Sequence, residues 1–376
     1  MDLQNNEGLN GIFDELAESL NISESMRDKA ERAYTTLGEW IEGNEEGEEV
    51  EVYPQGSFAL GTVVRPPSGE DLDYDIDLVC QLSDMAERSA EEIKRFVGKR
   101  LRESGVYAKK LHPEGKRCWT LDYDVFHVDV LPCVDDLRRG GTAVRLTHKD
   151  PVTGEYSDRY SNPRGYARWF EGRMGDSLIK AKRHYSGKVL CSVEDVPTFV
   201  VSTPLQKAVR ILKHHRNLMF EGDDDAPISI IISTLSALAY GGEEGAYDAV
   251  ARILNGMAAH IMGGPGRYWI PNPADEKENF AERWNEKPEK ATAFFSWLDR
   301  AREDFCGLVG IRGLDTIARS LESSCGKAIT ARTLNRYGEC LREARGSSSL
   351  LASSAGLTYV ASTSARVVPH HEFYGA

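Results

Sequence analysis

The sequence predicts an α/β fold of the α+β type, with a mixed sheet in the first half of the chain and helices in the second. Apolar and polar residues alternate over about 50–54, 74–82 and 125–132, which is the period of half-buried strands. An amphipathic helical pattern over about 86–103 separates the second strand from the third, so the sheet is not a simple stack of hairpins. From about Pro204 onward the apolar spacing is that of helices.

The remaining segments are predicted from spacing and composition. Two helices are expected over about 10–42, with Ser23 at a cap between them. The segment 138–163 is rich in Gly, Asp, Thr and Tyr, and we expect it to form a long loop over the aspartate site that is described below. The expected organisation is a core with the N-terminal helices over 1–200, a helical domain over 201–345 and a flexible tail over 346–376.

Composition indicates a large enzyme that works on small substrates. The 376 residues suffice for two domains, and the net charge of −13 mildly favours free nucleotides over a nucleic-acid polymer as substrate. The seven cysteines show no Cys-x-x-Cys spacing, which argues against a disulfide framework or structural zinc. The first seven residues are polar and acidic, unlike a signal peptide, and no run of about eighteen apolar residues occurs. We therefore expect a cytoplasmic protein without a membrane segment.

Three aspartates suggest a two-metal site. In the sequence Asp75-Ile76-Asp77, the two carboxylates project from one face of a predicted strand, because side chains alternate along it. A third carboxylate, Asp129, lies inside another predicted strand. Such oxygen ligands suit two Mg²⁺ ions, with Mn²⁺ as an alternative, and two ions about 3.5–4 Å apart can clamp the attacking and leaving oxygens of phosphoryl transfer.

A Gly-Ser turn supplies the expected phosphate contact. Gly56 allows close approach of the backbone, while free amides and the Ser57 hydroxyl can bind phosphate oxygens. Alone, Gly-Ser is more often an ordinary turn and Asp-x-Asp a solvated strand end. Their combination with a third strand aspartate favours a nucleotidyl-transfer site.

These residues resemble the DNA polymerase β-like nucleotidyltransferases, a superfamily that includes poly(A) polymerases, CCA-adding enzymes, oligoadenylate synthases and cyclic GMP-AMP synthase. Over about residues 10–345 the chain is similar to the bacterial CD-NTases of CBASS antiphage defence. The segments that carry this likeness are Gln55–Pro66, Ser161–Tyr166, Leu205–Lys213 and Ile270–Pro273. The resemblance implies a polymerase β-like core with a mixed sheet, a C-terminal helical domain and an active site in the cleft between them.

The resemblance also implies roles and partners. Asp75, Asp77 and Asp129 would be catalytic and would bind the metals; the substrate-binding residues would be Gln55, Gly56, Ser57, Lys213 and Ser229. The enzyme would join NTPs, with ATP favoured, into a cyclic di- or trinucleotide that activates an antiphage effector. Nucleic acid would not be required for the chemistry.

Several alternatives stay open at this level. The chain could be a template-independent RNA- or protein-modifying nucleotidyltransferase, or a catalytically silent binding protein, although the intact aspartates argue against the latter. Lys213 could be a surface lysine and Ser229 a helix cap. The family suggests a HORMA-like activator or a conjugating enzyme acting on the tail, with 370–376 as the partner handle.

Tyr160, Tyr166 and Trp169 could stack on bases, although an aromatic residue at helical spacing is usually part of a core. The basic runs 180–184 and 213–216 could bind a polymer or be solvated helix faces. His127 shares the predicted face of Asp129 and could orient it or be ordinary hydrogen-bonded structure.

Overall fold

The computed structural model describes residues 7–43, 49–65, 74–189, 192–193, 196–353, 356–359 and 366–368. Its α-helices are α1 Glu7–Ser19, α2 Glu24–Glu42, α3 Gly56–Ala59, α4 Ala90–Glu103, α5 Pro163–Met174, α6 Asp176–Val189, α7 Pro204–Met219, α8 Ser229–Ala239, α9 Ala246–Gly256, α10 Glu282–Glu286, α11 Pro288–Ala301, α12 Leu314–Cys325 and α13 Lys327–Gly346. Its strands are β1 Val50–Pro54, β2 Tyr74–Leu82, β3 Trp119–Tyr123, β4 Phe126–Asp135, β5 Val144–Lys149, β6 Tyr156–Ser161, β7 Pro271–Asn272, β8 Asp275–Asn279, β9 Leu351–Ser353, β10 Gly356–Thr358 and β11 Arg366–Val367.

The main sheet is mixed, as predicted. Its order is β1-β2-β4-β5-β6, and β3 pairs with one half of the long β4. β2 and β4 run parallel, whereas the other pairs are antiparallel. A parallel pair needs a crossover connection, and the chain between these two strands passes through α4 before it returns along β3.

The N-terminal helices are confirmed, and the cap between them has the expected geometry. The side chain of Ser23 accepts a hydrogen bond from the backbone N–H of Met26 at the start of α2. The two helices nevertheless pack into different cores. α2 lies with the sheet and α4, whereas α1 packs with α5, α7 and α9 in the core of the helical part.

The division of the chain at residue 200 therefore differs from the division of its cores. Phe13 of α1 makes edge contacts with the rings of Tyr247 and Phe305, at centroid distances of 4.9 and 5.7 Å. Phe170 of α5 is also buried in the helical core. The apolar faces of α1 and α5 find partners only after distant helices have folded, which a boundary drawn along the sequence does not capture.

The segment 138–163 is not the long loop that we expected. It contains β5 and β6, which pair from Val144↔Ser161 to Lys149↔Tyr156 at the edge of the sheet. Most side chains of β6 are exposed, so this strand lacks the apolar alternation by which β1, β2 and β4 were predicted.

Part of the tail forms strands rather than a uniformly flexible segment. β9 pairs with β10 and β11, and the hydroxyl of Tyr359 donates to the carboxylate of Glu15 at 2.9 Å. Composition does not report such tertiary contacts. The proposed partner handle, residues 370–376, lies outside the described residues.

Among the described residues, the helices fall short of the length and apolarity that a membrane crossing requires.

Gly98 offers a test of how α4 packs on the sheet. A Cβ at Gly98 would lie 2.2 Å from the ring of Trp119, which is buried and donates its indole N–H to the carbonyl of Lys94. Gly98→Ala should therefore destabilise the fold by about 1–3 kcal/mol in urea unfolding. Gly172→Ala, in α5, is the matched control because an added Cβ there meets nothing within 4 Å. Equal stability of the two variants would contradict this packing.

Candidate active site

Three carboxylates lie on one face of the sheet because of the register between β2 and β4. Asp77 is the direct neighbour of Asp129, and Asp75 is the neighbour of His127. Positions two apart on a strand share a face, so the three carboxylates are brought together as predicted. Ile76 and Val128, which alternate with them, are fully buried on the other face. The site is thus the polar face of strands whose apolar face belongs to the core.

The Gly-Ser turn stands directly against these carboxylates. The backbone N–H of Gln55 donates to the carbonyl of Asp77 at 2.8 Å, which ties the end of β1 to β2. Gly56 has φ +61°, and a Cβ there would lie 2.6 Å from Oδ2 of Asp77. Only glycine meets both conditions, so the chain places backbone where a side chain would fill the site.

Helix α7 holds the segment after this turn through three consecutive carbonyls. Gln206 donates to Leu60 at 2.9 Å, Arg210 to Gly61 at 3.1 Å and Lys213 to Thr62 at 2.8 Å. The three donors are spaced i, i+4 and i+7 on the helix and share one face. We did not predict roles for Gln206 and Arg210; their helical spacing was the available signal.

A cavity of about 570 Å³ opens between the turn and the helical part. Its lining combines the predicted residues Gly56, Ser57, Asp75, Asp77, Lys213 and Ser229. Arg216 also lines it and donates to the hydroxyl of Ser229 at 2.9 Å. The structure thus brings the lysine and the serine to the same space as the Gly-Ser turn.

The charges around this cavity perturb one another. Burial, followed by the charges of Asp129 and Asp75, raises the pKa of Asp77 to about 6, against the opposing effect of Lys213. Burial and the charge of Arg216 lower the pKa of Lys213 to about 7, although Asp77 favours its charged form. Burial thus disfavours the charged form of both groups, and the two neighbouring carboxylates add to this effect at Asp77.

This donor set fits divalent magnesium. Asp75, Asp77 and Asp129 offer hard oxygen ligands side by side, and a cation bound there would favour the charged form of Asp77, whose pKa is raised by burial and by the two neighbouring carboxylates. The hydroxyl of Thr120 donates to Oδ1 of Asp129 at 2.5 Å and orients that carboxylate. We did not predict a role for Thr120. The connection between β3 and β4 has two residues, and counting outward from it along both strands pairs Thr120 with Asp129.

A second cavity, of about 520 Å³, adjoins the first and shares Gly56, Leu60 and Ile230 with it. Gln55 lies in this second cavity rather than in the first. The polar side chains that line it come from distant parts of the chain: Arg117, Ser161, Asn162, Asn272, Glu278, Asn279, Glu282 and Arg283. Most of these residues belong to no local sequence motif.

Other candidate residues have different surroundings from those expected. In the run 213–216, Lys213, His214 and His215 are buried, so the run is neither a polymer-binding surface nor a solvated helix face. Tyr166, a candidate for base stacking, is buried and shares a hydrogen bond of 2.9 Å with Thr234.

The other two candidates for base stacking, Tyr160 and Trp169, and the histidine beside Asp129 also have contacts within the protein. The ring of Tyr160 lies under the guanidinium of Arg139, and Trp169 packs against the helical core. His127 shares the face of Asp129, as expected, and its Nδ1 lies 3.3 Å from Asp122.

Residues 8–173 match the family model described as the Second Messenger Oligonucleotide or Dinucleotide Synthetase domain. The chain is 27% identical over 374 residues to a c-di-GMP synthase of Roseivirga ehrenbergii, covering 96% of this chain and 95% of that protein.

Solved structures share the fold. The CD-NTase CdnG of Bradyrhizobium diazoefficiens, in complex with GTP, superposes with a TM-score of 0.69 at 20% identity, over 88% of this chain and 99% of that one. The CdnC:HORMA-deltaN complex of E. coli MS115-1 gives a TM-score of 0.59 at 13% identity, over 84% and 96%. These likenesses confirm the predicted fold class.

Gly56 provides the sharpest test of the site geometry. Gly56→Ala should lower turnover by at least about a hundredfold, because the added methyl displaces the Asp77 carboxylate and small displacements at a reacting centre cost that much. Gly140→Ala is the matched control: φ is +69° there, but an added Cβ meets nothing within 4 Å. Both variants carry the strain of about 1–2 kcal/mol for a left-handed residue. If both lose turnover equally, contact with Asp77 is not the cause.

Proposed function

We propose that this chain is a nucleotidyltransferase of the CD-NTase type that makes cyclic oligonucleotides. It would join two or three NTPs by two-metal chemistry in the cavity beside β2. The observation that carries the proposal is the arrangement of Asp75, Asp77 and Asp129 on one sheet face, directly against the Gly56-Ser57 turn. The backbone of the proposed phosphate-binding turn lies so close to the Asp77 carboxylate that a Cβ at Gly56 would be 2.6 Å from its Oδ2.

The three aspartates would hold two Mg²⁺ ions, or Mn²⁺ in their place. Bound there, the ions would supply charge neutralisation for the attacking and leaving oxygens. The protein's own contribution is to fix the carboxylates: Thr120 orients Asp129, and the backbone of Gln55 ties Asp77 to the turn. Asp129, held in this way, favours deprotonation of the attacking ribose hydroxyl.

The triphosphate of the reacting nucleotide would lie along the wall formed by the turn and α7. The hydroxyl of Ser57 and the ammonium of Lys213 would bind phosphate oxygens, and Arg216 holds Ser229 toward the same cavity. An incoming polyanion would favour the charged form of Lys213, whose pKa is depressed by burial. Binding and protonation of this lysine would thus support each other.

The second nucleotide would occupy the adjoining cavity. The two cavities meet at Gly56, so a ribose hydroxyl in one can reach a phosphate in the other beside the aspartates. Ring closure then requires the linear intermediate to bind again with its ends exchanged. Amides, arginines and carboxylates in the second cavity can read base edges, as hydrogen-bonding sites discriminate strongly between related substrates.

The bases used are part of the proposal. The family resemblance led us to favour ATP, whereas the relative from Roseivirga ehrenbergii is called a c-di-GMP synthase and CdnG was solved with GTP. We propose that purine NTPs are the substrates, with ATP and GTP tested against each other. The product would activate an antiphage effector.

An RNA- or protein-modifying nucleotidyltransferase is the competing function. The burial of Lys213, His214 and His215 removes one basic run from any polymer-binding surface. A HORMA-like activator or a conjugating enzyme at the tail stays part of the proposal, supported by the CdnC:HORMA-deltaN complex among the similar structures.

The function is tested by the products of the purified protein. Incubation with all four labelled NTPs and Mg²⁺, followed by phosphatase, should leave a resistant cyclic oligonucleotide that mass spectrometry identifies. Single and paired NTPs then give the base choice. Asp77→Asn should abolish this product while circular dichroism stays unchanged, since the carboxylates act as a unit. Label transferred to added RNA or protein, without a small cyclic product, would favour the competing function.

A substitution of Lys213 tests whether α7 binds the triphosphate. Lys213→Met keeps the buried stem filled but removes the ammonium, and should weaken binding of non-hydrolysable ATP or GTP analogues about tenfold to a hundredfold, as expected for a charge-assisted bond of roughly 1.5–3 kcal/mol. Lys207→Met is the control on the same helix, because Lys207 pairs with Asp14 at 2.8 Å instead of lining the cavity. Unchanged affinity in Lys213→Met would show that this lysine does not bind the triphosphate.

A further inference from the structure

A second group of metal-ligating side chains lies next to the catalytic face. His112, Asp122 and His127 place one ligand atom each within 4.8 Å of one another. Asp122 pairs with His127 across β3 and β4, and His127 pairs with Asp75 across β4 and β2. The polar face of the sheet therefore continues sideways from the carboxylates into a group that contains two imidazoles.

Each imidazole lies near a different oxygen of the Asp122 carboxylate, at a separation close to that of two donors on one small cation. Nε2 of His112 lies 3.5 Å from Oδ2 of Asp122, and Nδ1 of His127 lies 3.3 Å from Oδ1 of the same carboxylate. Zinc bonds of about 2.0–2.2 Å in tetrahedral geometry put neighbouring donors roughly 3.3 Å apart. The side chains of His112 and Asp122 are 47% and 53% exposed, so both can adjust around an ion.

The backbone beneath the three side chains is well fixed. Asp122 and His127 stand on paired strands. The backbone N–H of His112 donates to the carbonyl of Thr120 at 2.9 Å, and that of Asp122 donates to the carbonyl of Lys110 at 2.8 Å. Ligands on such a scaffold need only side-chain motion to close on a metal.

We propose that His112, Asp122 and His127 form a binding site for a divalent transition metal of the zinc type, separate from the carboxylate site. Two imidazoles and one carboxylate select zinc, cobalt or nickel over magnesium, which prefers oxygen ligands. Three protein ligands leave coordination positions open to water or to a ligand. The site lies one strand away from Asp75, so its occupant adds positive charge beside the catalytic face.

Cobalt is the probe for this site because its visible absorption reports its coordination. The full-length protein is titrated with Co²⁺ in excess Mg²⁺, with calorimetry for stoichiometry, and Zn²⁺ is then added in competition. We expect one Co²⁺ per chain, displaced by Zn²⁺. His112→Ala and Asp122→Asn should each weaken binding by at least about tenfold, since even loss of an outer partner of a metal ligand has that effect.

Two controls locate the binding. His184→Ala removes an exposed histidine of α6 and should leave the cobalt titration unchanged. Asp77→Asn should also leave it unchanged, because Asp77 is not in the proposed set. Absence of binding in the wild-type protein, equal binding in His112→Ala, or loss of binding in Asp77→Asn but not in Asp122→Asn would each overturn the proposal.

Discussion

The parallel pairing of β2 with β4 is the constraint on which the site depends. It sets Asp77 beside Asp129, and a shift of either strand by one residue would turn its carboxylates into the core. The buried residues between them oppose such a shift, because Ile76 and Val128 would then face the polar side. Packing of the apolar face therefore positions the carboxylates on the other face.

The proposed triphosphate site would show how an acidic protein can bind a polyanion. The net charge of −13 is an average over the chain. Beside the aspartates, the helical part contributes Lys213 and Arg216, and Lys213 is almost completely buried. Desolvation makes each of these cations costly, and an anionic ligand in the cavity offsets that cost. Local placement of charge rather than its total decides what the cleft can bind.

Much of the fold was predictable because its strands alternate between apolar and polar residues. β2 and β4 were located closely in this way, as was the adjacent pair of carboxylates. β6 was missed because an exposed edge strand has no buried face to give a pattern. The second cavity was missed for another reason: Arg117, Asn162 and Glu278 meet only through tertiary folding, and no short spacing connects them. Lys213 and Ser229 came from family resemblance, since a lysine and a serine on helices have many ordinary roles.

The grip of α7 on three successive carbonyls has a mechanical consequence. Three side chains of α7 donate hydrogen bonds to the backbone of residues 60–62: Gln206, Arg210 and Lys213. The helix and the segment that follows the Gly-Ser turn are therefore expected to move together. Rotating the helix away would break all three bonds together. At the outer side of the same helix, Lys207 pairs with Asp14 of α1. A force applied to α1 thus reaches the Gly-Ser turn along a route that bypasses the sheet.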